Sequence, residues 1–541
     1  MQTASVVGKD VPFVLLLAIS EQAEAELHAA IGRLQAAEFL YETGIFPELE
    51  FTFKHALTHE VTYGGLLHDR RRTLHGQIVA TIERLYPERL TQHIERLAHH
   101  ALRGEVWEKA VAYLYKAGAK AYARSAHHEA VTYFEQALTA LPHLPESNET
   151  LEQAIDIHFD LAKSLLPLGQ VDERLQHLSK AEGLAKALGD QRRLGWVSTH
   201  MCDHFWFTGD FTESRTFGES AQAIAETIKD FPLQVAADFY LGVTCFSLGD
   251  YRRAEDLCRR VVQSLSGDLS HTRIPVTEFP IPVPHSYLSL ALAERGEFDE
   301  GVARGKEGIR LAEAVERPYT LVIACWALAY VYGLRGELSL AVRLLERSQA
   351  ISREWNLTVL SPRVTGLLGS VYTGSERLED GIALLNEALE AMETLGVGAY
   401  HSILLVRLGE ACLLANRLEE AIAIGDRALG LCRQRGERGY EAWALHLLGE
   451  VASRHDPLDL MLAEGHYRQA LALADELSMR PLVVHCHFGL GKLYRHVGDG
   501  VNARERLMTA VTLYREMDMG FWLAQVDSEM RALGHEAGGG E

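Results

Sequence analysis

One spacing recurs along this chain and limits the folds that it can adopt. From about residue 105 to residue 517, a small residue is followed twelve positions later by a second small residue. Thirteen of the fourteen residues in seven such pairs are Gly or Ala; the pairs are Gly118–Ala130, Gly242–Ala254, Ser289–Gly301, Ala329–Ala341, Gly369–Gly381, Gly409–Ala421 and Gly491–Ala503. A registry this regular indicates an array of repeats that stack on one another.

Each pair of small residues predicts a helical hairpin. Two amphipathic helices approach closely where a small residue on each marks their crossing, and larger apolar side chains fill the seam. Turns that contain glycine lie between the two halves, as at Gly249 and Gly336. Most successive copies begin about 40 residues apart. We therefore expect about ten hairpins over residues 105–517, followed by a closing helix and tail at 518–541.

The first copy carries the closest match to a known repeat. Gly118, Ala130, Phe134, Ala137 and Pro142 fall at the intervals of the tetratricopeptide repeat, and the array resembles that family. The family norm is 34 residues, so the helices here should be longer. The resemblance implies an all-α fold, a right-handed superhelix of helical hairpins, with a protein or peptide partner on its concave surface.

One interval in the array is longer than the others. The copies at 242 and 289 lie 47 residues apart, and the excess coincides with a proline-rich insertion at 266–285 that holds Pro275, Pro280, Pro282 and Pro284. Proline favours extended backbone in the residue before it. We expect either a long loop between the fourth and fifth hairpins or a strap lying in the groove.

The first hundred residues follow another pattern. Two helix-like runs, at 11–19 and 23–37, precede two short alternating stretches near residues 39–41 and 50–53. Two helices followed by a β-hairpin predict a small winged-helix-like α+β region over residues 1–66. Connecting helices are expected over 67–104.

Residues 51–63 of this region have the sequence FTFKHALTHEVTY. They are similar to the FxFxHxLxxEVxY signature that follows the ATPase core in bacterial STAND-type regulators, including those fused to a class III adenylate or guanylate cyclase. The resemblance implies that the winged helix packs on a nucleotide-binding module, supplied N-terminally or in trans. It also implies that His55 reaches ADP bound there.

The motifs of an enzyme are missing from the sequence. A P-loop needs GxxxxGK[ST], but Gly8-Lys9 continues with Asp10, and Gly305-Lys306 continues with Glu307. We expect no ATPase or cyclase activity and no cofactor in this chain. Neither His55 with His59 nor the triplet 485–487 has the further ligands that zinc needs, so we also expect no metal site.

Charge and cysteine usage limit the partners and the compartment. The chain has 53 Lys and Arg against 74 Asp and Glu, a net charge of −21 that argues against nucleic acid and anionic membranes. Seven scattered cysteines without a CxxC pair are typical of a reducing cytoplasm. No apolar stretch reaches the roughly 20 residues of a membrane span.

Two hypotheses follow for function. The first is a non-catalytic interaction and sensor module of a signal-transduction ATPase or cyclase, which binds a protein, peptide or small effector on the repeats. The alternative is a DNA-binding regulator, although its reading helix would carry Glu24 and Glu26 against Arg33. Aromatic and cationic residues one turn from the small sites are the groove candidates: Trp206, Phe239, Phe246, Trp326, Tyr330, Trp443, His446, Phe488, Lys492 and Arg495.

Overall fold

The structure is a computed structural model that describes residues 1–20, 22–44, 49–265, 282–315, 317–375, 377–455 and 458–538. It confirms the expected all-α array of helical hairpins behind a small α+β region. The chain divides into two compact units: Met1–Leu168 with Ser179–Leu188, and Gly169–Leu178 with Gly189–Glu541.

The N-terminal region of the first unit combines helices with a small sheet. Its elements are α1 (Gln2–Val7), β1 (Asp10–Pro12), α2 (Phe13–Ile19), α3 (Glu24–Ala36), β2 (Leu40–Gly44) and β3 (Glu50–Phe53). The strands pair antiparallel in the order β1-β3-β2, with Val11 opposite Phe51 and Leu40 opposite Phe53. All four of these side chains are buried, so the sheet turns one apolar face to the core of the unit.

The strand β1 corrects the sequence analysis, which expected one helix over 11–19. Val11 instead pairs with β3, and helix α2 begins only after Pro12. Proline lacks the N–H that a longer strand would need, and its fixed φ is compatible with the start of a helix. Residues 45–48, between β2 and β3, lie outside the described residues.

Further helices connect this region to the repeats. They are α4 (Ala56–Gly64), α5 (His68–Leu85), a 3-10 helix (Pro87–His93) and α6 (Ile94–Arg103). One buried cluster includes residues from the sheet, from α5 and α6, and from the first repeat helices, so the first unit has a continuous core.

Ten helix pairs follow in the described part of the chain. They are α7 (Trp107–Ala123) and α8 (His127–Ala140), α9 (Asn148–Leu165) and α10 (Val171–Leu188), α11 (Gln191–Thr208) and α12 (Phe211–Ile228), α13 (Phe231–Leu248) and α14 (Tyr251–Ser264), α15 (Pro282–Glu294) and α16 (Phe298–Ala314), α17 (Pro318–Arg335) and α18 (Leu338–Glu354), α19 (Ser361–Thr373) and α20 (Leu378–Thr394), α21 (His401–Leu414) and α22 (Leu418–Arg435), α23 (Arg438–Ala452) and α24 (Leu460–Glu476), α25 (Arg480–His496) and α26 (Gly500–Glu516). The last helix is α27 (Gly520–Gly538). Many of these helices have 17 or 18 residues, which accounts for the long period.

The small residues lie where the two helices of a hairpin cross. A Cβ added at Gly369 in α19 would lie 2.8 Å from the carbonyl oxygen of Gly381 in α20. In the fifth hairpin, the Ser289 hydroxyl donates a hydrogen bond of 2.7 Å to the Gly301 carbonyl. Backbones this close leave no room for a larger side chain at the crossing.

Glycines also end the first helices. Gly249 after α13 and Gly336 after α17 have φ angles of +85° and +96°. Only glycine adopts this left-handed backbone without steric cost, and it satisfies carbonyls of the last helical turn. Helices α13 and α17 therefore stop abruptly, and the chain reverses into α14 and α18.

Part of the proline-rich insertion differs from the expected extended segment. Helix α15 begins at Pro282 and includes Pro284 in its first turn. Proline is tolerated there because the first N–H groups of a helix have no intrahelical partner. Pro275 and Pro280 lie outside the described residues, so the choice between loop and strap stays a prediction.

One helix of the described part, α13, is long and apolar enough to cross a membrane by length and composition alone. However, 78% of it is buried inside the protein, as in the core helix of a repeat array.

The crossing at Gly369 can be tested with a single methyl group. We expect Gly369→Ala to lower the free energy of unfolding by about 1–3 kcal/mol, because the new Cβ would overlap the Gly381 carbonyl. Urea denaturation followed by circular dichroism measures this change.

Gly430 in the middle of α22 is the matched control, since a Cβ added there meets nothing within 4 Å. Gly430→Ala should stabilise the protein by about 0.5–1 kcal/mol through helix propensity. Equal effects of the two substitutions would show that Gly369 does not lie at a tight crossing.

Candidate ligand site in the repeat interior

The first helices of the hairpins form the interior of the second unit. In α11, α13, α17 and α21 nearly every residue after the first turn is buried. Their partners α12 and α22 bury a single stripe of small and apolar residues and expose the rest. The interior therefore consists of first helices, which the second helices cover from outside.

Contacts between distant hairpins close this interior. The backbone N–H of Gly398 donates a hydrogen bond of 2.8 Å to the carbonyl of Phe207, five hairpins earlier. Gly249 approaches Gly439 so closely that an added Cβ would lie 2.6 Å from the Gly439 nitrogen. Glycine is needed at such backbone contacts because any side chain would separate the two hairpins.

The closure places the groove candidates differently from the expectation of an open concave surface. Six of them are buried: Trp206, Phe239, Phe246, Trp326, Trp443 and Phe488. Four are partly buried: Tyr330, His446, Lys492 and Arg495. The sequence pattern indicates only the neighbours within one hairpin. In the structure these side chains also meet residues of other hairpins. Their role in binding stays a prediction.

The structure brings two of the candidates together around an arginine that the sequence analysis did not single out. The guanidinium carbon of Arg363 lies 5.3 Å from the ring centre of Trp206, 5.2 Å from that of Trp326 and 4.7 Å from that of Tyr400. The Arg363 guanidinium also donates a hydrogen bond to the hydroxyl oxygen of Tyr287. These five residues come from α11, α15, α17, α19 and the start of α21, and we call them the Arg363 box.

The charge in the Arg363 box lacks a counter-ion. Only 8% of Arg363 is exposed, and within the described ranges no carboxylate forms an ion pair with it. Arginine stays protonated in proteins, so a full positive charge is held among aromatic rings. Burying such a charge without an anion costs several kcal/mol, of which cation–π contacts return only part.

Two partly buried cations of this unit, by contrast, are paired with carboxylates. Arg407 lies 4.4 Å from the ring centre of Trp443 and donates two hydrogen bonds of 2.9 Å to Glu410. Lys492 donates hydrogen bonds of 2.9 and 3.0 Å to Glu450. Burial alone would raise the pKa of Glu450. The pKa is nevertheless lowered to about 2, chiefly because of the charge of Lys492. Arg174, the other buried arginine that the structure describes in this unit, pairs with Asp203, so Arg363 differs from it in lacking a carboxylate.

A second polar group of the Arg363 box also lacks a partner. The indole N–H of Trp326 is buried and has no hydrogen-bond acceptor among the residues that the structure describes. Buried donors normally have an acceptor, since a buried N–H without a hydrogen bond costs about 1–3 kcal/mol. The box thus presents a guanidinium and an indole N–H, both of which suit a carboxylate.

Glu294 forms a second polar centre of the interior. Its carboxyl group is fully buried and accepts a hydrogen bond from the hydroxyl of Tyr330, one of the groove candidates. Burial raises the pKa of Glu294, although Tyr330 and Arg407 act in the opposite direction. The interior therefore offers polar groups at several points between aromatic side chains, as ligand sites commonly do.

The residues of the Arg363 box left only a weak signal in the sequence. Arg363 lies six residues before Gly369, at the same offset as the groove candidate Trp443 from Gly449. One cation in the otherwise apolar first helix, SPRVTGLLG, could have marked it. Tyr287 and Tyr400 follow from no local pattern, because only the packing of separate hairpins brings them near Arg363.

His55, the proposed nucleotide contact, lies in the first unit. It is exposed and occupies the residue before α4, with extended backbone at φ −127°. Its imidazole is therefore accessible to a partner from outside the unit.

Sequence comparisons agree with the repeat architecture. Family profiles described as tetratricopeptide repeat match residues 211–268, 322–347 and 360–434. An uncharacterized protein of Rhizobium meliloti (strain 1021) is 23% identical over 261 residues, which make up 47% of this chain and 25% of that protein. The chain thus spans about a quarter of the length of this curated relative.

One solved structure shows the same repeat fold. A Rap protein in complex with the competence and sporulation factor aligns with 68% of this chain and 98% of its own, at 14% identity and a TM-score of 0.52. A STAND protein with a tetratricopeptide repeat sensor from Pyrococcus horikoshii aligns over 98% of this chain and 65% of its own, at 12% identity. Its TM-score is 0.34, which supports no further conclusion.

Replacing Arg363 by an uncharged side chain of similar length tests whether the guanidinium stabilises the fold. We expect Arg363→Met to raise the free energy of unfolding by about 1 kcal/mol, because the cost of burying an unpaired charge disappears. Lost cation–π contacts keep the gain small.

Arg407→Met is the matched comparison for that substitution. Arg407 is partly buried and also lies against a tryptophan, but its loss would leave Glu410 without its partner. We expect this variant to lower the free energy of unfolding by about 2 kcal/mol in the same denaturation experiment. If Arg363→Met were equally destabilising, Arg363 would be a structural residue.

Proposed function

We propose that this chain is a non-catalytic interaction and sensor module. It binds a peptide or small effector that bears a carboxylate, and the ligand lies in the interior of the second unit. The unpaired charge of Arg363 is the observation that supports this function. A bound carboxylate would supply the missing counter-ion, and Trp326 would supply a second donor. Charge-assisted hydrogen bonds of arginine to a carboxylate are among the strongest that proteins make.

Ligand binding at this position would be coupled to the conformation of the repeats. Arg363 is almost fully enclosed, so a ligand could reach it only if hairpins separate. The contacts between Phe207 and Gly398 and between Gly249 and Gly439 would have to break or shift. Occupied and empty forms would then differ in how tightly the array closes, which is what a sensor requires.

The first unit has an exposed apolar surface that suits the docking of a separate protein module. Leu57 and Val61 are 69% and 67% exposed and lie four residues apart on α4, and Leu67 beyond it is 82% exposed. Residues with this spacing share one face of a helix. An apolar stripe next to His55 supports the proposal that a STAND-type nucleotide-binding module docks here, either N-terminally or in trans.

The sheet has the order β1-β3-β2, and helices α2 and α3 lie between β1 and β2 in the chain. This arrangement supports the winged-helix interpretation of the region. DNA binding has less support. Helix α3 carries Glu24 and Glu26 in its first turn and Arg33 in its last, and carboxylates repel phosphates. We propose that this region contacts protein in the cytoplasm of a bacterial cell.

Peptide selection followed by binding measurements tests the proposed function. A random peptide library with free C-termini is panned on the purified full chain, and enriched peptides are synthesised for isothermal titration calorimetry. We expect specific peptides whose Kd rises at least tenfold when the anchoring carboxylate is replaced by an amide. Arg363→Met should weaken their binding by a similar factor.

Arg427→Met provides the control, because Arg427 is exposed on α22 and pairs with Glu393 there. It should leave the Kd of the selected peptides unchanged. Failure to enrich any peptide, or equal binding by the wild-type chain and the Arg363→Met variant, would contradict the proposed site.

A further inference from the structure

Three histidines from two separate helices meet in the first unit. Helices α5 and α6 approach so closely that a Cβ added at Gly104 would lie 2.9 Å from the backbone nitrogen of Gly76. This approach brings His75 of α5 beside His99 and His100 of α6. From the sequence we expect no metal site, since His75 lies 24 residues before His99 and the spacing matches no local ligand pattern.

The geometry of the three rings suits one cation. The Nδ1 atoms of His75 and His100 are 2.8 Å apart, and one nitrogen from each of the three rings lies within 4.8 Å of the others. His75 and His100 are 1% and 2% exposed, whereas His99 is exposed. Two ligands would therefore be fixed by the core, and the third can rotate into place from the surface.

The outer nitrogens of the two buried rings are held by other groups. Nε2 of His75 lies 3.0 Å from the hydroxyl of Tyr63. The ring of His100 donates a hydrogen bond to the backbone carbonyl of Val7. Histidines that bind metals almost always have such a partner on the nitrogen that does not face the metal, because it fixes the tautomer and the ring orientation.

We propose that His75, His99 and His100 form a Zn²⁺ site whose fourth position is open to solvent. Zinc–nitrogen bonds of about 2.0–2.1 Å in tetrahedral geometry place ligand nitrogens roughly 3.4 Å apart. His75 and His100 would separate by about half an ångström, and His99 would turn inward.

Solvent can reach this site from the side of His99. A surface cavity of about 470 Å³ borders this residue and is also lined by Glu95, Leu102, Arg103 and Tyr133. Arg103 and Arg71 lie near the cluster and reduce its attraction for a dication. We therefore expect a Kd in the micromolar range, weaker than that of a four-ligand structural zinc site.

Without a metal the same residues can form a hydrogen-bonded chain. Tyr63 would donate to His75, His75 to His100, and His100 to the Val7 carbonyl, which satisfies every buried ring nitrogen. In this purely structural role, His75 and His100 need no contact with the His99 side chain. The effect of changing His99 therefore distinguishes the two roles.

Titration of the full chain with Co²⁺ and Zn²⁺ tests the proposal. After treatment with a chelator, the wild-type chain should bind one equivalent of Co²⁺ with the absorption of a tetrahedral nitrogen site, and Zn²⁺ should displace it. His99→Ala should retain the helical circular dichroism of the wild type, since the side chain is exposed, and should weaken Zn²⁺ binding at least tenfold.

His68→Ala is the control, because His68 is an exposed histidine at the start of α5. It should leave the tetrahedral absorption and the Zn²⁺ affinity unchanged. Absence of the Co²⁺ absorption, or equal binding by the wild-type chain and the His99→Ala variant, would overturn the metal site and leave the hydrogen-bonded chain. Neither result bears on the proposed ligand site around Arg363.

Discussion

The close crossing of two helices at a pair of small residues is the contact on which the rest of the array depends. Where Gly369 meets the Gly381 carbonyl, the second helix lies directly on the backbone of the first. Each first helix then has a remaining apolar face that one hairpin cannot cover. Neighbouring hairpins bury that face, and contacts such as Phe207 with Gly398 close the interior across five hairpins.

This closure gives the interior its unusual electrostatics. Arg407 and Lys492 are enclosed together with Glu410 and Glu450, so their charges are compensated. Arg363 is enclosed by aromatic rings instead. Burying a cation without an anion lowers stability, and the carboxylate ligand that we propose would supply the missing charge.

The sequence predicted the local part of this structure well. The spacing of Gly409 and Ala421, repeated along the chain, was sufficient for the hairpins, because a helix crossing depends on residues twelve positions apart. Contacts between residues about 190 positions apart, such as Phe207 and Gly398, leave no periodic trace. Groove candidates such as Trp206 were therefore expected on an open surface and lie in a closed interior.

A crystal structure of the full chain with a peptide selected for binding would test the central claim most directly. The account predicts the carboxylate within hydrogen-bond distance of the Arg363 guanidinium and the Trp326 indole nitrogen, with the contact between Phe207 and Gly398 displaced or lengthened. A peptide bound on the outer helices, with Arg363 still enclosed only by its aromatic neighbours, would contradict the account.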